Sequence, residues 1–189
     1  MSHNQTTDPA SLPITLQQVK AWTRIDDNAS DAELAGLMQA ATKRAEVIMD
    51  RPIIQREYTL TLDDLPTAIS LPGTPAQSVT SITYIDTDGT LQTLASNQYQ
   101  VDLGGEYKHG RIVPAYGITW PAVRKIPETI TVVYQAGYGP DWNSVPADIQ
   151  QAIAYMVGHY YDMRDIVGEN KTVPETAIDI LMGHRVYTV

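Results

Sequence analysis

A chain of 189 residues is long enough for one domain with a sizeable core or for two small domains. Acidic residues outnumber basic ones by 22 to 13, and the resulting net charge of −9 argues against a general nucleic-acid binder, which normally presents a basic face. The lack of cysteine excludes disulfides and thiolate metal sites, and no apolar run approaches the roughly 18 residues of a membrane span.

The N-terminal part of the chain predicts a disordered segment followed by two helices. Residues 1–12 are polar and are expected to be disordered. Thr15 and Gln18 match a capping box, as do Ser30 and Glu33, and each box predicts a helix start. The first helix is short, and its buried side is expected to comprise Leu16, Val19 and either Trp22 or its neighbours. The second helix runs to about Met49 on an apolar stripe of Leu34, Leu37, Met38, Ala41, Ala45 and Ile48.

An acidic cluster lies at the start of the second helix. It consists of Asp26, Asp27, Asp31 and Glu33. Carboxylates in such a group can hold a metal ion, but acidic residues also favour the positive end of a helix. We interpret the cluster as helix-start chemistry and predict no metal there.

Residues 53–140 predict an antiparallel β domain. The strands are expected at residues 55–62, 69–71, 79–85, 90–94, 99–103, 111–113 and 129–136. Asp86 and Gly89 supply turn chemistry between the third and fourth of these strands. The Asp-x-Asp-Gly sequence there also opens many calcium loops, but the further oxygen ligands and the closing glutamate are missing, so we predict a structural turn. Short strands at this spacing favour a small sandwich or open barrel.

The C-terminal part predicts two more helices and a tail. Pro146 begins a helix with an apolar stripe of Ile149, Ala152, Ile153, Met156 and Tyr160, and Pro174 opens a short helix that Gly183 ends. His159 lies beside the first stripe, where a structural or interface histidine is the simpler interpretation than a ligand or base. Residues 183–189 alternate apolar and polar side chains and are predicted to be a tail without an internal partner, free to add to a neighbour's surface.

These elements give an α+β fold in which N- and C-terminal helices form a small bundle around an inserted β domain. The predicted parts are a disordered N-terminus at 1–12, a helical bundle at 13–52 and 141–182, the β domain at 53–140 and a tail at 183–189.

Catalytic chemistry is not indicated by the sequence, so no enzymatic activity and no cofactor are predicted. There is no nucleophile elbow, zinc motif or paired-carboxylate signature. The alternative from residue chemistry is a binding module for carbohydrate or peptide. Its aromatic platform would be built by Tyr84, Tyr99, Tyr107, Trp120 and Tyr138.

From Pro13 onward, turn and apolar residues follow a pattern that covers nearly the whole chain. It comprises residues 34–51 ending in Met49-Asp50-Arg51-Pro52, then Leu71-Pro72, Pro75, Ser78-Val79, Ile82-Thr83-Tyr84-Ile85-Asp86 and Gly89, and later Tyr99, Trp120-Pro121, Val133-Tyr134, Ala136-Gly137-Tyr138, Pro146, Ala152, His159-Tyr160-Tyr161, Leu181 and Arg185. In this order and spacing the chain resembles the head-tail connector (adaptor) proteins of tailed bacteriophages with a β-domain insertion, and the similar adaptors of gene-transfer-agent particles.

The resemblance implies a structural virion protein at the head-tail interface, assembled in the cytoplasm of a bacterial host. It implies a ring, by analogy of twelve copies, that docks beneath the portal protein, lines a channel through which double-stranded DNA passes without sequence-specific binding, and meets a downstream stopper or tail protein. No membrane partner is implied. It also implies that the C-terminal segment reaches the portal. The residues expected to bind there are Leu181, Arg185, Tyr187 and Val189.

Overall fold

The computed structural model describes residues 2–25, 28–163 and 173–186. The chain divides into two compact units. The β unit consists of Met1–Pro9 and Gln55–Tyr138, and the helical unit consists of Ala10–Ile54 and Gly139–Val189. Helices before and after the sheets therefore fold together, which confirms the predicted α+β class with an inserted sheet domain.

Within the described ranges the helical unit contains four α-helices. They are α1 (Leu16–Thr23), α2 (Asp31–Met49), α3 (Ala147–Asp162) and α4 (Glu175–Gly183). Helix α3 packs against the other three helices and buries six residues among them: Ile149, Ala152, Ile153, Ala154, Met156 and Val157. Most residues of the predicted stripes of α2 and α3 are buried in the core, whereas Leu37 and Tyr160 are only half-buried. The core includes Leu34, Met38, Ala41, Ala45, Ile48, Ile149, Ala152, Ile153, Met156 and Leu181.

The two predicted capping boxes have different outcomes. At α1 the box is formed: the Gln18 amide donates to Thr15 Oγ1 at 3.2 Å, and the Thr15 amide donates to Gln18 Oε1 at 2.8 Å. At α2 the prediction is wrong, since the Ser30 side chain makes no capping bond. The backbone of Ser30 is not extended (φ −94°, ψ 3°), so its hydroxyl cannot reach the first turn and lies instead 3.0 Å from the Tyr161 hydroxyl.

The β unit contains two antiparallel sheets that share one hydrophobic core. The strands are β1 (Ser2–Gln5), β2 (Arg56–Leu62), β3 (Ile69–Leu71), β4 (Ala76–Ile85), β5 (Leu91–Thr93), β6 (Tyr99–Asp102), β7 (Gly110–Pro114) and β8 (Ile130–Ala136). One sheet has the order β1-β2-β8-β4-β5, and the other has the order β3-β7-β6. Burial alternates along β2 and β8, and their inward side chains meet those of β3 and β7 in the core, as in a sandwich.

The hairpin of β4 and β5 contains the predicted turn. The Asp86 carboxylate accepts hydrogen bonds from the amides of Asp88 and Thr90 and from the side chain of Gln92. These bonds, with the one from Gln92 contributing most, hold the pKa of Asp86 below its usual value. Gly89 has a φ of +91°, and a Cβ there would meet the Arg124 guanidinium. The carboxylate therefore stabilises its own turn.

The N-terminal segment is ordered where disorder was predicted. Residues 2–5 form β1 and pair with β2 at the edge of the larger sheet. The His3 ring stacks on Tyr58 at a centroid distance of 4.7 Å and lies 6.0 Å from the Tyr134 ring. The polar sequence did not indicate a strand, because main-chain hydrogen bonds between strands need no apolar side chains. The side chain that anchors β1 is the imidazole of His3.

The attachment of β1 is expected to weaken in mild acid. Burial lowers the pKa of His3 from 6.5, so the unfolded chain takes up the proton more readily. The stability that the neutral ring contributes is therefore complete above pH 6.5 and is lost as the pH falls through the lower pKa of the folded state. Thermal unfolding of the wild type and of His3→Gln, compared at about pH 8 and about pH 5, checks this. We expect a smaller acid-induced decrease in Tm for His3→Gln; equal decreases in both proteins would contradict the prediction.

Candidate docking surfaces

The C-terminal segment begins inside the helical unit. Leu181 is fully buried (0% exposed), so its side chain is part of the core and is not displayed on the surface of this unit. Arg185 Nη1 donates to the Ile48 carbonyl at 3.3 Å, and Val186 is buried. The prediction of a tail without an internal partner is thus wrong for residues 184–186. Tyr187 and Val189, the other two expected portal contacts, lie outside the described residues.

A hydrogen bond between two side chains holds this segment at its first residue. His184 Nε2 lies 2.7 Å from Asp148 Oδ2, at the start of α3. Partial burial by itself raises the pKa of Asp148, but the hydrogen bond and the charge of His184 outweigh it, and the net pKa is lowered. Residues 184–186 are therefore fixed to α3 by His184 and to the end of α2 by Arg185.

A groove lies between α1 and α3 on the helical unit. It has a volume of about 290 Å³. Its lining comprises Trp22, Thr23, Ala154, Tyr155, Gly158, His159 and Asp162. Trp22, predicted to be buried, is 52% exposed and meets the Tyr155 ring edge-on at 5.7 Å. Helix α1 has only two turns, and Val19 alone fills its contact with the core, so the indole remains at the rim of the groove.

His159 has an unusual position in this groove. Its Nε2 atom is buried but has no hydrogen-bond partner among the described residues. A buried polar atom of this kind costs free energy unless a partner is supplied. Gly158, one residue before, adds no side chain, and a Cβ there would only reach ordinary contact with Thr23 Cγ2 at 3.5 Å. His159 is thus a lining residue of a groove that also contains the rings of Trp22 and Tyr155, while its Nε2 atom is enclosed by the protein.

The β unit displays an isolated aromatic side chain at a tight turn. Tyr116 is 99% exposed. Its turn is fixed by a hydrogen bond from the Ile118 amide to the Ala115 carbonyl at 2.9 Å, and Gly117 has the positive φ (+76°) that a type II turn requires at its third position. The sequence analysis did not predict an exposed aromatic residue here, although Gly117 is a residue type that favours a turn at residues 115–118.

The aromatic platform expected of a carbohydrate- or peptide-binding module is not formed as one surface. Three of its five residues, Tyr84, Tyr99 and Trp120, pack against the core, and the Trp120 indole donates to the Pro66 carbonyl at 2.8 Å. The Tyr138 hydroxyl donates to Glu106 at 3.1 Å, and Tyr107 is exposed. The rings therefore serve mainly to pack the sheets.

The described ranges of the chain contain neither a metal-binding cluster nor a membrane-spanning helix. No group of three or more histidine or acidic side chains there is placed to hold a metal ion. Asp31 of the acidic cluster pairs with Lys20 Nζ at 2.8 Å, while Asp26 and Asp27 fall in an undescribed stretch. None of the described helices is long and apolar enough to cross a membrane.

Together, these elements form a helical unit with an inserted sheet domain, and the described residues show no catalytic or metal-binding group. The profile of the head completion protein family (HCP) matches residues 13–187. The chain therefore belongs to the head completion protein family, and it is a structural protein rather than an enzyme. This confirms the family resemblance seen in the sequence. No curated protein matches the chain.

Solved structures with the same fold come from gene transfer agent (GTA) particles. One chain in the virion of a native particle is 21% identical, with a TM-score of 0.80. A chain in the neck of an empty particle, computed with C6 symmetry, is 22% identical with a TM-score of 0.76, and one in the neck of a native particle, computed with C12 symmetry, is 23% identical with a TM-score of 0.73. Each match covers 100% of this chain and 97% of the other, so the fold is shared over its whole length.

Proposed function

We propose that this chain is the head-tail adaptor subunit of a tailed phage or phage-like particle, and that its copies form a ring beneath the portal protein. The observation that supports this most strongly is the family match over residues 13–187. The full-length likeness to chains in GTA necks supports the same position in the particle. The subunit is made in the cytoplasm of the bacterial host and functions in the virion.

The ring is proposed to be cyclic, with twelve copies. The neck structures of the relatives were computed with C6 and C12 symmetry, both of which are compatible with twelve subunits. A cyclic ring requires two different faces on each subunit that fit one another. The net charge of −9 suits a channel for double-stranded DNA, because an acidic wall forms few phosphate contacts and lets the duplex slide.

The portal contact is proposed to lie at the end of the chain. Leu181 supports it from within the core, whereas Arg185, Tyr187 and Val189 belong to the segment that follows α4. A downstream stopper or tail protein is proposed to bind the opposite side of the ring. The anchoring of residues 184–186 supports this arrangement, since His184 and Arg185 already hold the start of the segment on the helical unit and less of it must be ordered on binding.

A short truncation tests the proposal. Removing residues 187–189 spares Val186 and the contacts of His184 and Arg185, so the helical unit is expected to keep its thermal stability. Binding of the purified chain to portal rings, measured by co-sedimentation, is expected to fall at least about tenfold. Substituting Tyr107, an exposed residue of the β unit, with serine is the matched control and should leave binding unchanged. Undiminished binding of the truncated chain would overturn the portal assignment, and tailed, infectious particles in the absence of this gene would overturn the adaptor function.

A further inference from the structure

Helix α2 presents a basic face to solvent. Ala40, Lys43 and Val47 lie at helical spacing on its exposed side, with Arg44 beside them, and Val47 is 62% exposed. Within the described part of the chain neither Lys43 nor Arg44 forms an ion pair, so two adjacent cations have no carboxylate partner in a protein of net charge −9. Ala40 adds little bulk, which lets a second helix approach closely. The face therefore combines free positive charge with an exposed apolar side chain.

Helix α4 presents an acidic face. Glu175, Asp179 and Met182 follow one another at i, i+4 and i+7, and all three side chains are exposed. Glu175 lies in the first turn, where a carboxylate favours the positive end of the helix, but Asp179 lies beyond that turn and gains less from it. Neither carboxylate has an ion-pair partner among the described residues. This face therefore has the opposite charge and, like the basic face, an exposed apolar side chain.

The two faces match in length and order. Seven residues separate Ala40 from Val47 and Glu175 from Met182, a rise of about 10.5 Å in each helix. When an α2 and an α4 lie side by side and parallel, Val47 meets Met182, and the basic residue in the middle of one face lies opposite Asp179. Such i, i+3, i+4 and i+7 stripes are the geometry by which two helices pack.

The occupant that fits each face is a second copy of the chain. Both faces are exposed on the same helical unit, so they are not paired with one another within a subunit. Two unlike, complementary faces on one chain give a head-to-tail contact, which is the kind that generates a ring. Exposed ion pairs are each worth only about 0.2–1 kcal/mol, so the charges select the partner and the register, while burial of the apolar side chains adds affinity.

We propose that the basic face of α2 in one subunit packs on the acidic face of α4 in the adjacent subunit, with Lys43 opposite Asp179 and Val47 against Met182. The inference rests on the proposed ring and names a contact between its neighbours. A different protein on either face is an outcome that the test below distinguishes.

A charge exchange tests the contact. Particles are assembled with variant chains in place of the wild type, and the amount of chain in purified necks is measured. Lys43→Glu and Asp179→Lys should each lower incorporation at least about tenfold, because each places like charges opposite one another. The double variant Lys43→Glu/Asp179→Lys should recover most of it, since the reversed pair is again complementary. All three variants should keep the Tm of the wild type, because both positions are exposed.

The control is Lys125→Glu, which makes the same change in charge at an exposed position of the β unit and should leave incorporation unchanged. If wild-type particles lack this chain in their necks, the proposed function fails. If the chain is present but the single variants incorporate normally, or the double variant is no better than the worse single variant, the contact is wrong while the adaptor function stands. The second result is the one expected if a different protein covers one of the faces.

Cross-linking covers the case in which a charge variant does not fold. The chain has no native cysteine, so Val47→Cys/Met182→Cys introduces one thiol on each face. Mild oxidation of assembled particles should give a ladder of covalent multimers on a non-reducing gel, and the ladder should collapse on reduction. Val47→Cys/Tyr107→Cys, whose second cysteine lies on the β unit, should stay monomeric. Only monomers from the first variant would overturn the proposal.

Discussion

Replacing Leu181 with alanine is expected to lower the free energy of unfolding of the helical unit by about 2–5 kcal/mol. Leu181 is fully buried on α4, which packs against α3 and α2, so the truncation leaves a cavity that the three helices cannot fill without moving. Chemical denaturation, monitored by the far-ultraviolet circular dichroism of the helices, measures the change in the free energy of unfolding.

The adjacent residue provides the control. Met182 is 37% exposed, and Met182→Ala should change the free energy of unfolding by no more than about 0.5 kcal/mol. The comparison also decides between two roles for Leu181. If Leu181→Ala kept full stability but lost portal binding, Leu181 would be a surface anchor, as the sequence indicated, and its buried position would be wrong.

Replacing Tyr134 with alanine is expected to destabilise the β unit by about 3–5 kcal/mol. Tyr134 lies in the middle of β8, is fully buried, and stacks on Tyr58 at 5.8 Å. Its hydroxyl donates to the Pro72 carbonyl, and its oxygen lies 2.8 Å from His3 Nε2. Burial, with a smaller contribution from Tyr58, raises the pKa of Tyr134, so the hydroxyl stays protonated and remains a donor. Denaturation followed by tyrosine and tryptophan fluorescence measures the loss.

Phenylalanine at the same position separates packing from hydrogen bonding. Tyr134→Phe keeps the ring and removes the hydroxyl, which leaves the Pro72 carbonyl without this donor, and should cost about 1–3 kcal/mol. Tyr116→Phe removes a fully exposed hydroxyl and should leave the stability of the isolated chain unchanged. Equal stability of Tyr134→Phe and the wild type would show that the buried hydroxyl contributes nothing net.

Most elements of the fold follow from local sequence patterns. The stripe of α2, the alternation of β2 and the turn at Gly89 were readable because each depends on spacing within a short window. The wrong predictions concern positions where a residue distant in the sequence makes a contact that the local pattern does not indicate. Ser30 matches a capping pattern, but its backbone angles and the Tyr161 hydroxyl override it, and β1 is ordered by strand pairing and by two tyrosines far along the chain.

By itself, the sequence determined the α+β class, most of the helix and strand positions and the family to which the chain belongs, because these depend on periodicity, turn chemistry and the order of motifs. Only the tertiary structure decided which apolar residues face outward. Leu181 and Trp22 both belong to helical apolar stripes, yet one is buried among three helices and the other remains at the rim of a groove. Burial depends on what the other elements place opposite a side chain, and no local pattern contains that information.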